Sequence, residues 1–256
     1  MSQILNLYKE RGETPLARLD RLRDSYRKYL SSTLSYLGRL DPMAEGVLLV
    51  AVDEENLNRK QYLALPKVYE VDILLGVSTD TYDVLGKITD IISRTTHPRP
   101  HILELGAFLE TKVGAQIQKY PPYSSKTVNG KPLHEWSREG RLNEIVVPEH
   151  EIEIHDCMTL GLEQISQKKL LEEVLADIER VQGDFRQEAI ASCWEAQLRP
   201  LYDFSFDIFR VRLAVSSGTY VRVIAHELGE HFGIPSLAYR IKRTAVGEYG
   251  IEDSVR

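Results

Sequence analysis

Apolar residues along this chain recur at two spacings, and the elements follow from which spacing holds where. KVYEVDILLG (67–76) alternates, with Tyr69, Val71, Ile73 and Leu75 on one side and Glu70 and Asp72 on the other, which predicts a half-buried strand. FRVRLAV (209–215) repeats the pattern, setting Phe209, Val211, Leu213 and Val215 opposite Arg210 and Arg212. Further strands are predicted at 4–9, 47–52, 88–91 and 149–155, with a final short one within RTAVGEYGI (243–251). A 3.6-residue spacing marks the helices. In GETPLARLDRLRDSYRKYL (12–30) Thr14 suits an N-cap and Pro15 the first helical position, and Leu16, Leu19, Leu22 and Tyr26 share a face. HILELGAFLETKV (101–113) has helical spacing, and QKKLLEEVLADIERV (167–181) is amphipathic through Leu171, Val174, Leu175, Ile178 and Val181. SSGTYVRVIAHELGEHFG (216–233) turns at Gly218 and enters a helix ending near Gly233.

Between these elements, 78–91 is rich in turn residues and 94–100 reads as a loop. The stretch 120–144, YPPYSSKTVNGKPLHEWSREGRLNE, has no long apolar pattern; it carries paired prolines, an Asn-Gly turn and a short helix-like piece with Leu133 and Trp136. An irregular excursion of that length in a compact domain is usually functional or disordered, and its aromatics and lysines favour function. Strands and helices follow one another without a strict βαβ rhythm. This predicts an α+β (mixed α/β) protein, a mixed, mostly antiparallel sheet flanked by helices, with no internal repeat and no domain boundary.

The chain has 256 residues, 43% hydrophobic and 27% charged, the composition of a soluble globular protein. No apolar run approaches the roughly 20 residues that span a bilayer, and charges occupy the N-terminal positions where a signal peptide is apolar. A cytoplasmic protein without membrane contact is expected. Cys157 and Cys193 form neither a metal spacing nor a disulfide framework and read as reduced thiols. The net charge of −6 argues mildly against a nucleic-acid partner. What counts is where the charge lies, and basic residues cluster in RLDRLR (18–23) and YRIKR (239–243).

Several motifs fail on spacing. No GxGxxG follows a strand and no Walker A loop is present, so no nucleotide cofactor is expected. HELGEH sets His226 and His231 five residues apart, about 140° around a helix. A metalloprotease pair is four apart, so these read as solvated histidines on a helix surface, not metal ligands. GVSTDTYDVLG (76–86) lacks the ligand spacing of a calcium loop. Neither metal nor cofactor is expected.

GRLDPMAEGVLLVAV (38–52) is the stretch that carries chemistry. Alone, its Asp-Pro fits turn and capping preferences. With its neighbours it resembles the catalytic motif of the pseudouridine synthases, in the LDP-x-A-x-G-V-L form of the TruB type. Blocks similar to that family recur in family order at 67–86, 121–140 (PPYSSKTVNGKPLHEWSREG), 216–230 and 239–249, and ILNLYKERGETP resembles its first strand and turn. The resemblance spans nearly the whole chain.

It implies the pseudouridine synthase fold with an RNA-gripping insertion at about 120–144, and isomerisation of uridine 55 in the T-loop of tRNA, with the target base flipped into a pocket. It implies Asp41 as nucleophile, Arg222 as its guanidinium partner and Tyr69 against the target base; Tyr220 and Ile241 match pocket positions and Asp80 a rim position. The chemistry is consistent with the residues. The isomerisation needs no redox change, so a carboxylate nucleophile is enough, and a guanidinium favours its charged form. A cation in the first turn of a helix is poorly placed without a carboxylate partner. Lys9, Lys126, Lys131, Lys242 and Arg243 are candidate phosphate contacts for the RNA. The implied partner is tRNA, bound by a monomer.

The chain departs from the pattern in three places. Tyr36 stands five residues before the nucleophile, where the family has histidine; it keeps a stacking surface but not a protonatable one near neutrality. Arg39 before Leu40 resembles the HRLD motif of a sister family that acts on other RNAs. Most members carry a C-terminal RNA-binding PUA domain, whereas a single catalytic domain over 1–256 without one is expected here. An alternative function on the same fold is RNA binding or tRNA folding without catalysis, or action on another RNA.

Overall fold

The computed structural model of this chain describes residues 3–92, 99–201 and 203–256. Strand β1 (Gln3–Lys9) leads into helix α1 (Pro15–Ser25), whose N-terminus Thr14 caps by accepting from the Ala17 N–H. Leu19 and Leu22 of α1 are buried as predicted, but Leu16 and Tyr26 are 61% and 44% exposed. The buried face turns instead through Arg18, which donates to the Tyr8 and Val255 carbonyls.

Strands β2 (Leu34–Leu37) and β3 (Ala44–Val52), helix α2 (Arg59–Ala64), β4 (Lys67–Leu75), β5 (Val77–Thr79) and β6 (Ile88–Ile91) follow. The loop read at 94–100 lies largely outside the described residues. After helix α3 (Ile102–Glu110) comes β7 (Gly114–Lys119). The excursion then contains a small hairpin, β8 (Thr127–Val128) and β9 (Lys131–Pro132), and helix α4 (Leu133–Arg138).

The remaining elements are β10 (Glu149–Ser166), α5 (Gln167–Glu179), α6 (Gln187–Leu198), β11 (Ser205–Val215), α7 (Val221–Phe232), β12 (Ser236–Val246) and β13 (Tyr249–Gly250). Three corrections to the sequence reading arise here. The strand that runs into RTAVGEYGI begins at Ser236 and is a central strand of the sheet, and only the two-residue β13 lies wholly within 243–251. The strand read at 149–155 runs on to Ser166, and α6 and β7 carry no pattern strong enough to have been read.

The main sheet runs β1-β3-β12-β4-β11-β10-β7, with β2 also on β3 and β13 on β12. Every pairing is antiparallel except β3 with β12, so the sheet is mixed and mostly antiparallel. The alternation along β4 and β11 works as predicted. Val71, Ile73, Phe209 and Val211 bury one face against Leu105, Phe108, Ile224 and Leu228 of α3 and α7. Leu74, Phe206 and Ile208 bury the other against Val174, Ile190 and Trp194 of α5 and α6. No described helix is long and apolar enough to cross a membrane. Of the HELGEH histidines, His226 is half-buried and lies flat on Tyr82 with ring centres 3.9 Å apart, which corrects its reading as solvated, whereas His231 is exposed as read and packs one face on Phe108 at 4.6 Å.

β2 and β12 share one edge of β3: Leu34–Leu37 pairs with residues 49–52, and β12 pairs in parallel with residues 44–46. Gly46 makes the close approach possible. Its φ is 106°, and a Cβ there would lie 2.2 Å from the Arg243 carbonyl oxygen. Gly46→Ala should therefore destabilise the fold by more than about 3 kcal/mol, read as a lowered urea midpoint; an unchanged midpoint would show that the two strands separate without cost.

Candidate active site

Where β2 leaves β3 and β12 joins it, the chain makes the turn 38–43, and its carbonyls have lost their strand partners. Buried carbonyls need donors, and buried cations supply them. Arg243 donates from Nη2 to the Gly38 oxygen at 3.1 Å, from Nη1 to Arg39 at 3.4 Å and from Nε to Val47 at 2.8 Å. Lys9 donates to Pro42 at 3.2 Å and to the Glu10 and Glu13 carbonyls. Arg11 donates to Met43 at 3.2 Å and pairs with Asp177 of α5 at 2.8 Å. Gly38, at φ 91°, supplies the left-handed backbone that opens the turn. Lys9 and Arg243 were expected to meet RNA phosphates. They are 0% and 1% exposed, and their donors are already engaged on this turn, so both are internal braces.

The turn presents Asp41. Its Oδ2 accepts from Arg222 Nε at 2.7 Å, and the Arg222 side chain is 3% exposed against 30% for Asp41. Arg222 sits in the first turn of α7. Its other donors reach the Thr81 carbonyl at 2.6 Å and the Tyr123 carbonyl at 3.2 Å, and Asp83 Oδ2 stands 3.8 Å from its Nε. Burial opposes the guanidinium charge, but Asp41 and Asp83 more than offset it, and the proton is held more tightly than on a free arginine. Asp83 is buried, which pushes its carboxyl up, while Arg222 pulls it down. Thr81 Oγ1 and the Leu85 N–H both donate to Asp83 Oδ1, at 2.8 and 2.9 Å. Thr81 and Asp83 were missed in the sequence, although both lie in the turn-rich stretch that carries Asp80.

A cleft of about 810 Å³ opens above this pair. Asp41, Tyr69, Arg222, Tyr220, Ile241 and Tyr36 all line it, so the structure brings these six predicted residues together. Tyr69 comes from β4 and is 8% exposed. Tyr220 stands edge-on to Tyr120, which stacks on His150 at 4.2 Å. Burial and the Asp41 charge raise the Tyr220 hydroxyl above the ordinary phenol range. Tyr36 lies at the rim with Arg39 Nη2 3.5 Å from its hydroxyl. Arg39, Lys67, Arg138, Arg186, Arg222 and Arg243 line the cleft against Asp41, Asp83 and Asp184. The site of this acidic chain is thus lined by more cations than carboxylates.

The 120–144 excursion closes one side. Tyr123 donates to Asp80 Oδ2 at 3.1 Å, and Arg186 pairs with the same carboxylate at 2.8 Å while stacking 4.4 Å over the Tyr123 ring. Burial and Asp80 push the Tyr123 hydroxyl up to about 12. Arg138 of α4 donates to the Asp184 carbonyl at 3.1 Å. Asp80 therefore joins the excursion to the segment between α5 and α6, a link that Arg186 completes and that the sequence reading did not contain. Lys126 is exposed, with its ammonium 5.1 Å over Tyr120. Lys131 stands 4.2 Å over Trp136 and pairs with Glu139. Lys242 is half-buried on β12 and is not among the cleft residues.

A family model described as TruB family pseudouridylate synthase (N terminal domain) matches residues 27–184. A tRNA pseudouridine synthase B of Bacillus cereus is 31% identical over 257 residues, covering 100% of this chain and 69% of the relative. One from Thermosipho melanesiensis is 29% identical over 255 residues, covering 100% and 67%. Among solved structures, a Cbf5-Nop10-Gar1 complex matches 96% of this chain with a TM-score of 0.58 at 15% identity, and an H/ACA RNP bound to a substrate RNA matches with a TM-score of 0.54. The chain spans about half the length of those two solved chains, 49% and 48%, and the likeness to them is one of fold.

The brace under Asp41 carries its own pH signature. Burial pushes the Lys9 ammonium down from 10.5 to about 7, with Glu13 and Asp41 pulling it back up. Between those values the unfolded chain holds a proton that the folded chain does not. The cost of burying the charge is therefore fully present below pH 7 and is relieved as pH rises, by at most about 1.4 kcal/mol per pH unit. In urea unfolding at pH 7 and pH 9.5, the wild type should gain stability relative to Lys9→Met across the interval. Parallel curves would show that Lys9 does not titrate there.

Proposed function

The chain belongs to the TruB family of pseudouridylate synthases, and we propose that it isomerises uridine 55 in the T-loop of tRNA, with Asp41 as the nucleophile. The observation that carries the reading is the ion pair of buried Arg222 with the partly exposed Asp41 on the floor of a cleft lined by Tyr69 and Tyr220. The guanidinium fixes one oxygen of the carboxylate through a charge-assisted hydrogen bond. The second oxygen is left to meet the nucleotide.

The reaction balances without a co-reactant. Asp41 adds to the bound nucleotide, the bond between N1 and C1′ breaks, the uracil turns in the cleft, and the bond to Asp41 breaks again as the base rejoins the sugar, which frees the carboxylate. C5 then bonds to C1′, the C5 proton leaves and N1 is protonated. Tyr69 lies against the ring and its hydroxyl is the candidate for that proton movement. Ile241 and Tyr220 complete the pocket wall. Extruding the base from its stack costs a few kcal/mol, which contacts along the RNA must offset. Lys126, Lys131 and Lys242, outside the catalytic pair, are the phosphate contacts in this reading, and the 120–144 excursion grips the RNA.

Tyr36 and Arg39 act together at the rim. Tyr36 offers a ring on which a base can stack. Arg39 has no carboxylate within ion-pair reach among the described residues. Its guanidinium supplies, beside Tyr36, a cation that the tyrosine ring lacks.

Unmodified tRNA incubated with the wild type should gain pseudouridine at position 55, read by mass spectrometry of the digested RNA. Asp41→Asn should lower the rate at least about 10³-fold with tRNA binding retained. Wild-type protein that binds tRNA and forms no pseudouridine, or an active Asp41→Asn, would overturn the reading. Arg39→Ala should raise KM for tRNA about three- to tenfold and reduce the salt dependence of binding by about one phosphate contact. An unchanged salt slope would remove Arg39 from the RNA interface.

A further inference from the structure

The HELGEH segment contains a group that the isomerase chemistry leaves unused. α7 carries Arg222 and His226 four residues apart, one turn on and on the same face. Arg222 takes the Thr81 carbonyl at 2.6 Å and faces the Asp83 carboxylate at 3.8 Å. The residue between those two is Tyr82, at φ 65°, a left-handed backbone that bulky side chains rarely adopt. The reversal there lets the carbonyl before Tyr82 and the carboxylate after it face one guanidinium. The ring of Tyr82 lies parallel to the His226 imidazole, with centres 3.9 Å apart and planes 11° apart. Strain of this kind persists only where the surroundings hold it.

We infer that Tyr82 and His226 are positioning residues: their stacked rings hold the left-handed turn that orients Arg222, and through Arg222 the carboxylate of Asp41. The inference rests on the reading of Asp41 as nucleophile. Backbone and hydroxyl bonds already brace the two ends of the turn. Thr81 Oγ1 donates to Asp83 Oδ1 at 2.8 Å, and the Ala238 N–H donates to the Tyr82 carbonyl at 3.0 Å. The ring contact holds the strained residue at its centre. Histidine suits this place because burial favours its neutral form, against the pull of Glu230 and Glu227. The helix thus offers the turn a flat ring one turn beyond Arg222 without a second buried cation.

The test compares His226→Ala, His226→Phe, Tyr82→Phe and Tyr82→Gly. Four quantities are measured: kcat on tRNA, tRNA Kd, melting temperature, and the exchange rate of the Arg222 Nε–H proton by NMR, that signal being identified by its loss in Arg222→Lys. Stacking energies set the scale. His226→Ala should lower kcat about three- to tenfold, leave Kd within about twofold and speed Nε–H exchange, and Tyr82→Gly, which takes the left-handed backbone without strain, should lose less than His226→Ala. The two phenylalanine variants should stay within about twofold of wild type in all four. Tyr82→Gly separates the ring from the backbone, since glycine keeps the left-handed turn without the stack. Three results overturn the inference: wild-type kcat and Nε–H exchange in His226→Ala, equal losses in His226→Ala and His226→Phe, or a loss confined to melting temperature. If the wild type forms no pseudouridine, the functional reading fails, and the Nε–H exchange rates still decide whether the stack orders Arg222.

Discussion

A guanidinium taken out of water must find acceptors for its donors, and the site is organised around that demand at Arg222. An unpaired buried charge is among the most costly groups a fold can hold. Arg222 meets the requirement with acceptors from three separate stretches: Asp41 from the 38–43 turn, Thr81 from the loop after β5, and Tyr123 from the excursion. Asp83 adds a second carboxylate. One side chain on α7 thus sets the relative positions of the segments that form the cleft. A change to any of them that withdraws an acceptor leaves the charge partly unpaired, which is why the carboxylate geometry and the stability of the fold are coupled here.

The turn beneath Asp41 follows the same logic with the roles reversed. There the backbone supplies acceptors without strand partners, and Lys9, Arg11 and Arg243 supply donors, Lys9 joining the Gly12 N–H on the Pro42 carbonyl. The need arises from the sheet itself, since β2 and β12 meet β3 along one edge and leave the chain between them unpaired. Hydrogen bonds from charged groups are stronger than those between neutral ones, so the turn is fixed more firmly than a surface loop would be. The opposite wall is built differently. Asp80, Tyr123 and Arg186 tie the excursion to the segment before α6 through an ion pair and a stacked ring, with side chains 21% and 26% exposed in the pair. Partly solvated pairs of this kind hold more weakly than buried ones, so the two walls of the cleft differ in stiffness.

Much of this was legible in the chain. Alternation at 69–75 and 209–215 identified the two central strands because each side chain faces a fixed side of the sheet. Thr14, Pro15 and Gly233 marked helix ends through local backbone preferences. The motif around Asp41, read with the blocks that follow it, located the residues that line the cleft. What the chain could not disclose was the use of its cations. Lys9 and Arg243 look like the other basic residues, and only the loss of strand partners at 38–43 turns them inward. β12 was read seven residues short because its first half, Ser236 to Lys242, carries apolar residues to both faces of a buried strand and shows no alternation. Leu16 and Tyr26 fit the period of α1 but not its packing, since Arg18 takes the buried place.

The sequence by itself determined the local order: which segments extend, which coil, where they stop, and which aspartate stands in a turn behind an arginine and a glycine. Those properties depend on neighbours a few residues away. Only the tertiary structure decided which charges meet. Arg11 and Asp177 are 166 residues apart in the chain, and Tyr82 and His226 belong to elements with no sequence relation to each other. Their partnership depends on the order of strands in the sheet and on desolvation, which makes a buried donor select whichever acceptor the fold brings to it.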